Sequence, residues 1–328
     1  MTLSGSRPTF SDLEAAARRL RPYLRQTPLL NASHALEALP GLPAGELWLK
    51  AECLQVTGSF KARGALNCLL SLEAGQLERG LVTASGGNHG LGVAYAGRIG
   101  SAPTTVFLPE SSPPAKVAKL RRFGASVELV GSVWDEANAA ALAHAEATGA
   151  TYVHPFADPA VIAGQGTLGL ELARAPELSA DPSAGLDAVL VAIGGGGLIS
   201  GLALALQSLS PDTRVIGVEP SGAPTLERSL AAGSLVTLPE IKTAASSLAP
   251  RRSEALPFEL IQERVERVVL VEDDALRAAA RWLWFEQGLA CELSAAAGVA
   301  ALLSGACSFP PGSRVATIVC GSGDAGLR

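Results

Sequence analysis

Short apolar runs alternate with longer, alanine-rich stretches along most of this chain, and the two patterns predict different elements. Unbroken apolar runs between glycine, proline or polar turns suit strands buried on both faces. Apolar positions recurring at helical spacing suit helices with one face on a core. The runs predict strands at Leu47–Lys50, Leu81–Ala84, Thr104–Leu108, Ser126–Val130, Thr151–Val153, Asp187–Ile193, Arg214–Val218, Arg267–Val271 and Arg314–Val319. Between them the spacing predicts helices at His89–Ile99, Ala115–Phe123, Val133–Ala147, Pro159–Ala173, Leu198–Leu209, Asp273–Glu286 and Ala295–Leu303. Strand and helix in alternation is the pattern of parallel strands joined by helical crossovers, so the fold class is α/β.

Turn chemistry agrees with these divisions. Pro-Glu-Ser-Ser-Pro-Pro at 109–114 and the Ala/Pro/Ser-rich stretch at 175–185 read as surface connections rather than flexible linkers. No repeat of fixed period is present, and because the chain reaches Arg328 directly after its last motif, the expectation is that no C-terminal regulatory domain is appended.

At 328 residues the chain exceeds one typical core and suits two closely joined domains. A net charge of −5 argues against nucleic acid or an anionic membrane as partner, while leaving small anions open through local sites. The five cysteines, 53, 68, 291, 307 and 320, are odd in number and lack C-x-x-C spacing, so neither a disulfide framework nor a zinc site is indicated. Met1–Pro8 carries no apolar signal segment and no run reaches a bilayer span. The expectation is a soluble, untargeted cytoplasmic protein.

Candidate chemistry gathers where predicted strands run into glycine turns. Gly194-Gly195-Gly196-Gly197 follows the strand ending at Ile193 and opens the helix at Leu198. Bare backbone N–H groups and a helix N-terminus make such a turn an anion cradle. A dinucleotide fold is the rival, because Glu219 ends the next strand where a ribose-binding acid would stand. The strict G-x-G-x-x-G fails, however, with Ile199 or Ser200 in its last position. Ser85-Gly86-Gly87-Asn88-His89-Gly90 is a second such turn, suited to a carboxylate, or else an ordinary cap with Asn88 capping and His89 in the first turn. A third is Ile318-Val319-Cys320-Gly321-Ser322-Gly323-Asp324. Three such strand ends imply one crevice at the carboxyl edges of a sheet.

Lysine is scarce, with Lys50, Lys61, Lys116, Lys119 and Lys242 against 21 arginines, and Lys61 lies inside Thr57-Gly58-Ser59-Phe60-Lys61-Ala62-Arg63-Gly64. It reads either as a solvated first-turn residue behind an N-capping Ser59 or as a lysine whose neutral amine attacks a carbonyl.

Lys50-x-Glu52-x-x-Gln55-x-Thr57-Gly58-Ser59-Phe60-Lys61-x-Arg63-Gly64-Ala65 closely resembles the cofactor-lysine segment of fold-type II pyridoxal-phosphate enzymes, most of all their serine/threonine dehydratase and serine racemase branch. The resemblance continues through Ser85–His89, Pro114-Ala115-Lys116 with Gly124-Ala125, His154-Pro155-Phe156-x-Asp158-Pro159, Ala163-Gly164-Gln165-Gly166-Thr167, Gly194–Leu198 and Gly217-Val218-Glu219-Pro220. It implies a tryptophan synthase β-like fold of two open parallel-sheet α/β domains with pyridoxal 5'-phosphate in the cleft between them. The large domain would comprise 1–75 and 155–328, and a small mobile domain 76–154. Lys61 would form the Schiff base and, once released, act as Cα base. Phe60 would pack on the ring, Asn88 would bond its hydroxyl oxygen, Gly194–Gly197 with Leu198 would bind the phosphate, and Cys320 would stand beside the ring nitrogen. Ser85, Gly86, Asn88 and His89 would hold the substrate carboxylate.

The activity so implied is dehydration of a β-hydroxy amino acid, L-threonine, L-serine or a relative such as 3-hydroxyaspartate or phenylserine, to a 2-oxo acid and ammonia by a homodimer. Alternatives are β-replacement of the cysteine synthase type, amino-acid racemisation, or a pyridoxal-phosphate-binding regulatory protein whose substrate pocket has decayed. Gly86 stands where the racemase branch carries a second serine, so dehydration gains weight. The divalent-cation site of that branch would use Glu219 and the Ala223 carbonyl, with Thr225 where an acidic group is needed. Ala244–Pro250 replaces the family's Asp-Gly pair. Glu292-Leu293-Ser294 replaces Glu-Pro-Ser or Glu-Pro-Thr, so Glu292 either completes a cation site, lines the cleft, or is a helix-start carboxylate.

Overall fold

The computed structural model describes residues 6–178 and 185–327; residues 1–5, the 179–184 part of the 175–185 connection and Arg328 lie outside the described residues. In chain order the elements are α1 (Phe10–Leu20), β1 (Leu29–Asn31), β2 (Glu46–Lys50), α2 (Lys61–Leu70), α3 (Ala74–Arg79), β3 (Leu81–Ala84), α4 (Asn88–Gly100), β4 (Thr104–Leu108), α5 (Pro114–Arg122), β5 (Ser126–Leu129), α6 (Trp134–Thr148), β6 (Thr151–Tyr152), α7 (Pro159–Ala173), β7 (Ala188–Ala192), α8 (Gly197–Leu209), β8 (Arg214–Pro220), α9 (Thr225–Ala232), α10 (Ala255–Arg264), β9 (Arg267–Val271), α11 (Asp273–Gln287), α12 (Ala297–Leu303) and β10 (Arg314–Ile318).

The strands form two sheets, ordered β1-β2-β10-β7-β8-β9 and β5-β4-β3-β6. Every neighbouring pair is parallel except β1 with β2. The unbroken apolar runs behave as parallel strands between helix layers must: all five residues of β7 are buried. All strands of the second sheet come from within 81–152. Elements that the hydrophobic pattern does not single out are α1, α2, α3, α9, α10 and β1. The last is a three-residue antiparallel edge, too short to show a period. α1 is closed by a capping box between Thr9 and Asp12.

Two features tie α2 into place. An added Cβ at Gly64 would lie 2.8 Å from the Val161 carbonyl oxygen, one at Gly164 2.6 Å from that of Arg63, and one at Gly201 2.6 Å from the Gly166 nitrogen. Backbones of α2, α7 and α8 therefore touch where only glycine fits. Beneath them, the buried Arg63 guanidinium donates to Glu52 at 2.8 and 2.7 Å, to Glu171 at 2.6 and 3.0 Å and to Thr167 Oγ1 at 3.1 Å. Lys50 joins the cluster at 2.8 Å from Glu171, so two cations face two carboxylates and the charges cancel.

Candidate active site

Three strand-to-turn junctions and the first turn of α2 converge on a cleft of about 1500 Å³, lined from the ends of both sheets. Lys61 opens α2, after a stretch in which Thr57 and Gly58 take left-handed φ of 66° and 86°. An added Cβ at Gly58 would meet Ser322 Oγ at 2.3 Å, so this turn lies directly on the polar turn after β10. The Lys61 Nζ donates to the Pro155 carbonyl at 2.6 Å and stands 5.2 Å from the centre of the Phe60 ring. Burial lowers the lysine pKa to about 8, against the opposing influence of Cys320 and Glu292. Lys61 is thus a cleft amine that deprotonates easily, not a solvated first-turn residue.

The glycine run after β7 forms the second part. The N–H groups of Gly194, Gly195, Gly196, Gly197 and Leu198 have no intrachain acceptor among the described residues. Gly196 has φ 95° and caps α8. The Gly195 carbonyl is fixed by Ser253 Oγ at 3.0 Å. Added Cβ atoms at Gly195 and Gly197 would fall 2.2 Å from the Phe156 ring and 2.6 Å from the Phe156 carbonyl oxygen. Unpaired donors at a helix N-terminus are what a phosphate group requires. Phe156 adjoins Pro155, so the cradle and the Lys61 amine share one neighbouring segment.

Ser85–His89 is the third part. Ser85 Oγ accepts the Gly87 N–H at 3.3 Å, Gly87 occupies the N-cap position, and Asn88 is the first residue of α4 without capping it. Asn88 Nδ2 instead donates to Glu292 Oε1 at 2.9 Å. The same oxygen accepts from Ser247 Oγ at 3.3 Å, and Ser247 pairs with Ser294. Burial raises the Glu292 carboxyl, which is therefore a cleft residue rather than a helix-start charge. The buried His89 ring faces the Val153 carbonyl at 2.9 Å through Nε2, leaving Nδ1 without a partner among the described residues. Burial brings its pKa down to about 3, so the ring is neutral. An added Cβ at Gly92 would lie 2.9 Å from the Lys61 carbonyl oxygen, which seats α4 directly on the first turn of α2.

Cys320 follows β10, buried, its carbonyl accepting the Phe60 N–H at 3.2 Å. Burial pushes its thiol well above the ordinary range, so it stands in the cleft as a neutral group. Glu219 and Ala223 are elsewhere engaged. The Glu219 oxygens accept the Leu226 and Glu227 N–H groups at 2.9 Å each, at the start of α9, and the Ala223 carbonyl accepts the Thr225 N–H. Burial raises Glu219 to about 8. Thr225 Oγ1 donates away to the Pro250 carbonyl. Among the described residues no three His, Cys, Asp or Glu side chains come together as a metal site.

Sequence reasoning brings Lys61, Phe60, Ser85–His89, Gly194–Leu198 and Cys320 into one cleft, and the structure places all of them on its lining. It does not find the Pro155 carbonyl or Ser247. A backbone carbonyl leaves no trace in side-chain chemistry, and Ser247 lies in a segment that departs from the family pattern.

Two sheets, parallel apart from the β1 edge, whose strand ends share a cleft holding a low-pKa lysine and an anion cradle, define a fold-type II, tryptophan synthase β-like enzyme. Residues 20–321 match the family model described as "Pyridoxal-phosphate dependent enzyme", and the chain belongs to that family. It is 43% identical over 293 residues to the L-threonine ammonia-lyase of Geobacter sulfurreducens, covering 89% of this chain and 70% of the relative. Among solved structures, maize serine racemase superposes with a TM-score of 0.88 at 32% identity, covering 97% of this chain and 94% of that one. The threonine deaminase of T.th. does so with a TM-score of 0.87 at 41% identity, covering 96% and 98%. The cofactor of the family is pyridoxal phosphate, and the orphan N–H cradle, the cleft lysine and the neutral thiol fit it.

Proposed function

We propose that the protein is a pyridoxal-phosphate-dependent ammonia-lyase that converts a β-hydroxy amino acid, threonine, serine or a relative such as 3-hydroxyaspartate or phenylserine, to a 2-oxo acid and ammonia. The observation that carries this reading is the half-buried Lys61 amine in the same cleft as a row of unpaired backbone donors. Bound pyridoxal phosphate would supply an aldehyde for amines and a ring that withdraws electrons from Cα. The N–H groups of Gly194–Leu198 would hold the phosphate, Lys61 would engage the aldehyde, and Phe60 would flank the ring. Asn88, oriented by Glu292, would reach the ring hydroxyl oxygen. The neutral Cys320 thiol would neighbour the ring nitrogen without charging it.

The substrate carboxylate would rest in the Ser85–His89 turn, on the N-terminus of α4. Lys61 Nζ, its pKa lowered to about 8 so that a share of the amine is neutral near pH 7, would take the Cα proton on its own face of the substrate. Gly86 offers no hydroxyl on the opposite face, which supports one-sided chemistry and elimination over racemisation. Residues 76–154 would form the small domain that moves to close the cleft. The protein would work in the cytoplasm as a homodimer; the exposed apolar side chains of Leu36 and Phe285, brought near each other by the Leu36 N–H bond to Glu286, support a buried face there. No helix among the described residues is long and apolar enough to cross a membrane.

The test is a panel of β-hydroxy amino acids of both stereochemical series, with 2-oxo acid and ammonia measured, and serine with and without sulfide to expose β-replacement. Lys61→Ala is expected to abolish product. Wild-type turnover in that variant, or a yellow protein whose spectrum no amino acid changes, would end the proposal.

A further inference from the structure

Four residues between β6 and α7, Val153-His154-Pro155-Phe156, touch Lys61, the glycine cradle and the Ser85–His89 turn. The Val153 carbonyl receives Thr83 Oγ1 at 3.0 Å and faces His89 Nε2 at 2.9 Å, which binds the strap to the Ser85–His89 turn. The Pro155 carbonyl receives the Lys61 amine at 2.6 Å. Phe156 lies against Gly195 and Gly197 of the cradle. Within the strap, His154 Nδ1 accepts two backbone N–H groups, from Phe156 at 3.2 Å and Ala157 at 2.9 Å. Its ring stands edge-on to Phe156 with 4.6 Å between centres. A proline cannot donate, so the imidazole lone pair is what closes this turn and sets the direction of the Pro155 carbonyl. Accepting at Nδ1 requires the neutral ring, and burial, with the Lys61 charge, lowers His154 to about 4.

Resting on the reading of Lys61 as cofactor lysine, we propose that the Pro155 carbonyl is the seat of the Lys61 amine whenever that amine is not covalently engaged, and that His154 is the positioning residue that holds the seat. When Lys61 takes the Cα proton, the C–H bond breaks and leaves its electron pair on Cα, where bound pyridoxal phosphate would withdraw it, while the proton goes to the Nζ lone pair and the new ammonium donates to the Pro155 oxygen. A carbonyl aimed at an ammonium stabilises it where a loosened turn would not. The other titratable groups around the amine are Cys320, Glu292 and His89, from β10's exit, the turn before α12 and α4. None of these three is a hydrogen-bond partner of His154.

Two variants separate the role from mere packing. His154→Phe keeps a ring and removes the acceptor; His154→Asn removes the ring and offers its amide oxygen to the same two N–H groups, as Asn does in turns. The readout is the acidity of Lys61 in the apoprotein, from the pH dependence of trinitrobenzenesulfonate labelling with the modified peptide identified by mass spectrometry. The Phe variant is expected to lower the Lys61 pKa by about one unit, a roughly tenfold change in its acid constant, and Asn to restore it. The same shift should appear on the acidic limb of the kcat profile of the holoenzyme. A folded Phe variant with unchanged Lys61 acidity, or an Asn variant shifted as far as Phe, would overturn the seat. Borohydride reduction of the holoenzyme tests the underlying reading separately: a label on a residue other than Lys61 refutes that reading, whereas a label on Lys61 with no pKa shift refutes only the seat.

Discussion

Gly195→Ala adds a single methyl group where the Phe156 ring already stands. The new Cβ would lie 2.2, 2.3 and 2.4 Å from Phe156 Cδ1, Cγ and Cε1. Carbon atoms settle at about 3.5–4.0 Å, so ring and glycine turn must part by more than about 1 Å. Phe156 has little room to yield, because its N–H is held by His154 Nδ1 and its backbone lies against Gly197. The glycine turn therefore moves, and with it the N–H groups that aim at the phosphate. Overpacking of this kind costs about 1–3 kcal/mol, which corresponds to cofactor binding weakened roughly 5- to 150-fold. The assay is titration of apoprotein with pyridoxal phosphate, following the visible absorbance of the Schiff base, with thermal unfolding as a check on the fold. Gly75→Ala is the control: it is exposed in α3, and its Cβ would meet only the end of the Arg79 side chain at 3.7 Å. A folded Gly195→Ala protein with Kd within about twofold of wild type would refute the idea that Phe156 and the glycine turn form one rigid cradle.

Gly86→Ser should fit, since its Cβ would sit 3.2 Å from the end of the Leu108 side chain, and it should bring D-serine from L-serine into view on chiral chromatography. A variant that still forms 2-oxo acid yet yields no D-serine would show that Gly86 is not what restrains racemisation. Arg63→Met leaves the buried Glu52 without its cation and Glu171 with Lys50 alone, and should lower stability in urea by about 3–5 kcal/mol; a loss under about 1 kcal/mol would contradict the weight given to the cluster. Although burial pushes Glu171 up, Arg63 and Lys50 hold it below the usual carboxylate range. The cluster's contribution is therefore present at neutral pH and fades as pH falls through that depressed value, where wild type and variant should converge. Reconstitution of apoprotein should accelerate by about tenfold per pH unit up to about 8 and then level off, because only the neutral Lys61 amine attacks the aldehyde. A flat profile across that range would contradict the depressed pKa.

The parallel strands are readable in the sequence because burial on both faces leaves unbroken apolar runs, as in β7 and in residues 215–218 of β8. β1 is not, because three residues at an antiparallel edge carry no period. α1 has a usable signal in Thr9 and Asp12, a capping box that hydrophobic spacing alone passes over. In the cleft, residues adjoining strand ends are legible from their glycine turns. The acceptor of Asn88 is not, because Glu292 lies 204 residues away and only the fold brings the two together. The carbonyl that receives Lys61 is equally hidden, since every residue in the chain offers the same group and only the trace of the backbone selects Pro155.

The bare crossings of α2, α7 and α8 have a further consequence for altering this enzyme. Lys61 begins α2 and the glycine cradle begins α8, and both helices rest backbone-on-backbone against α7. The separation between the two anchoring points is thus a fixed dimension, set by backbone contact at these glycines and by the Gln165 side chain, which accepts the Gly64 N–H at 3.2 Å. Engineering aimed at new substrates has its latitude on the opposite wall, where half-exposed Val133, Trp134 and Leu142 border the cleft and can be swapped without disturbing that gauge.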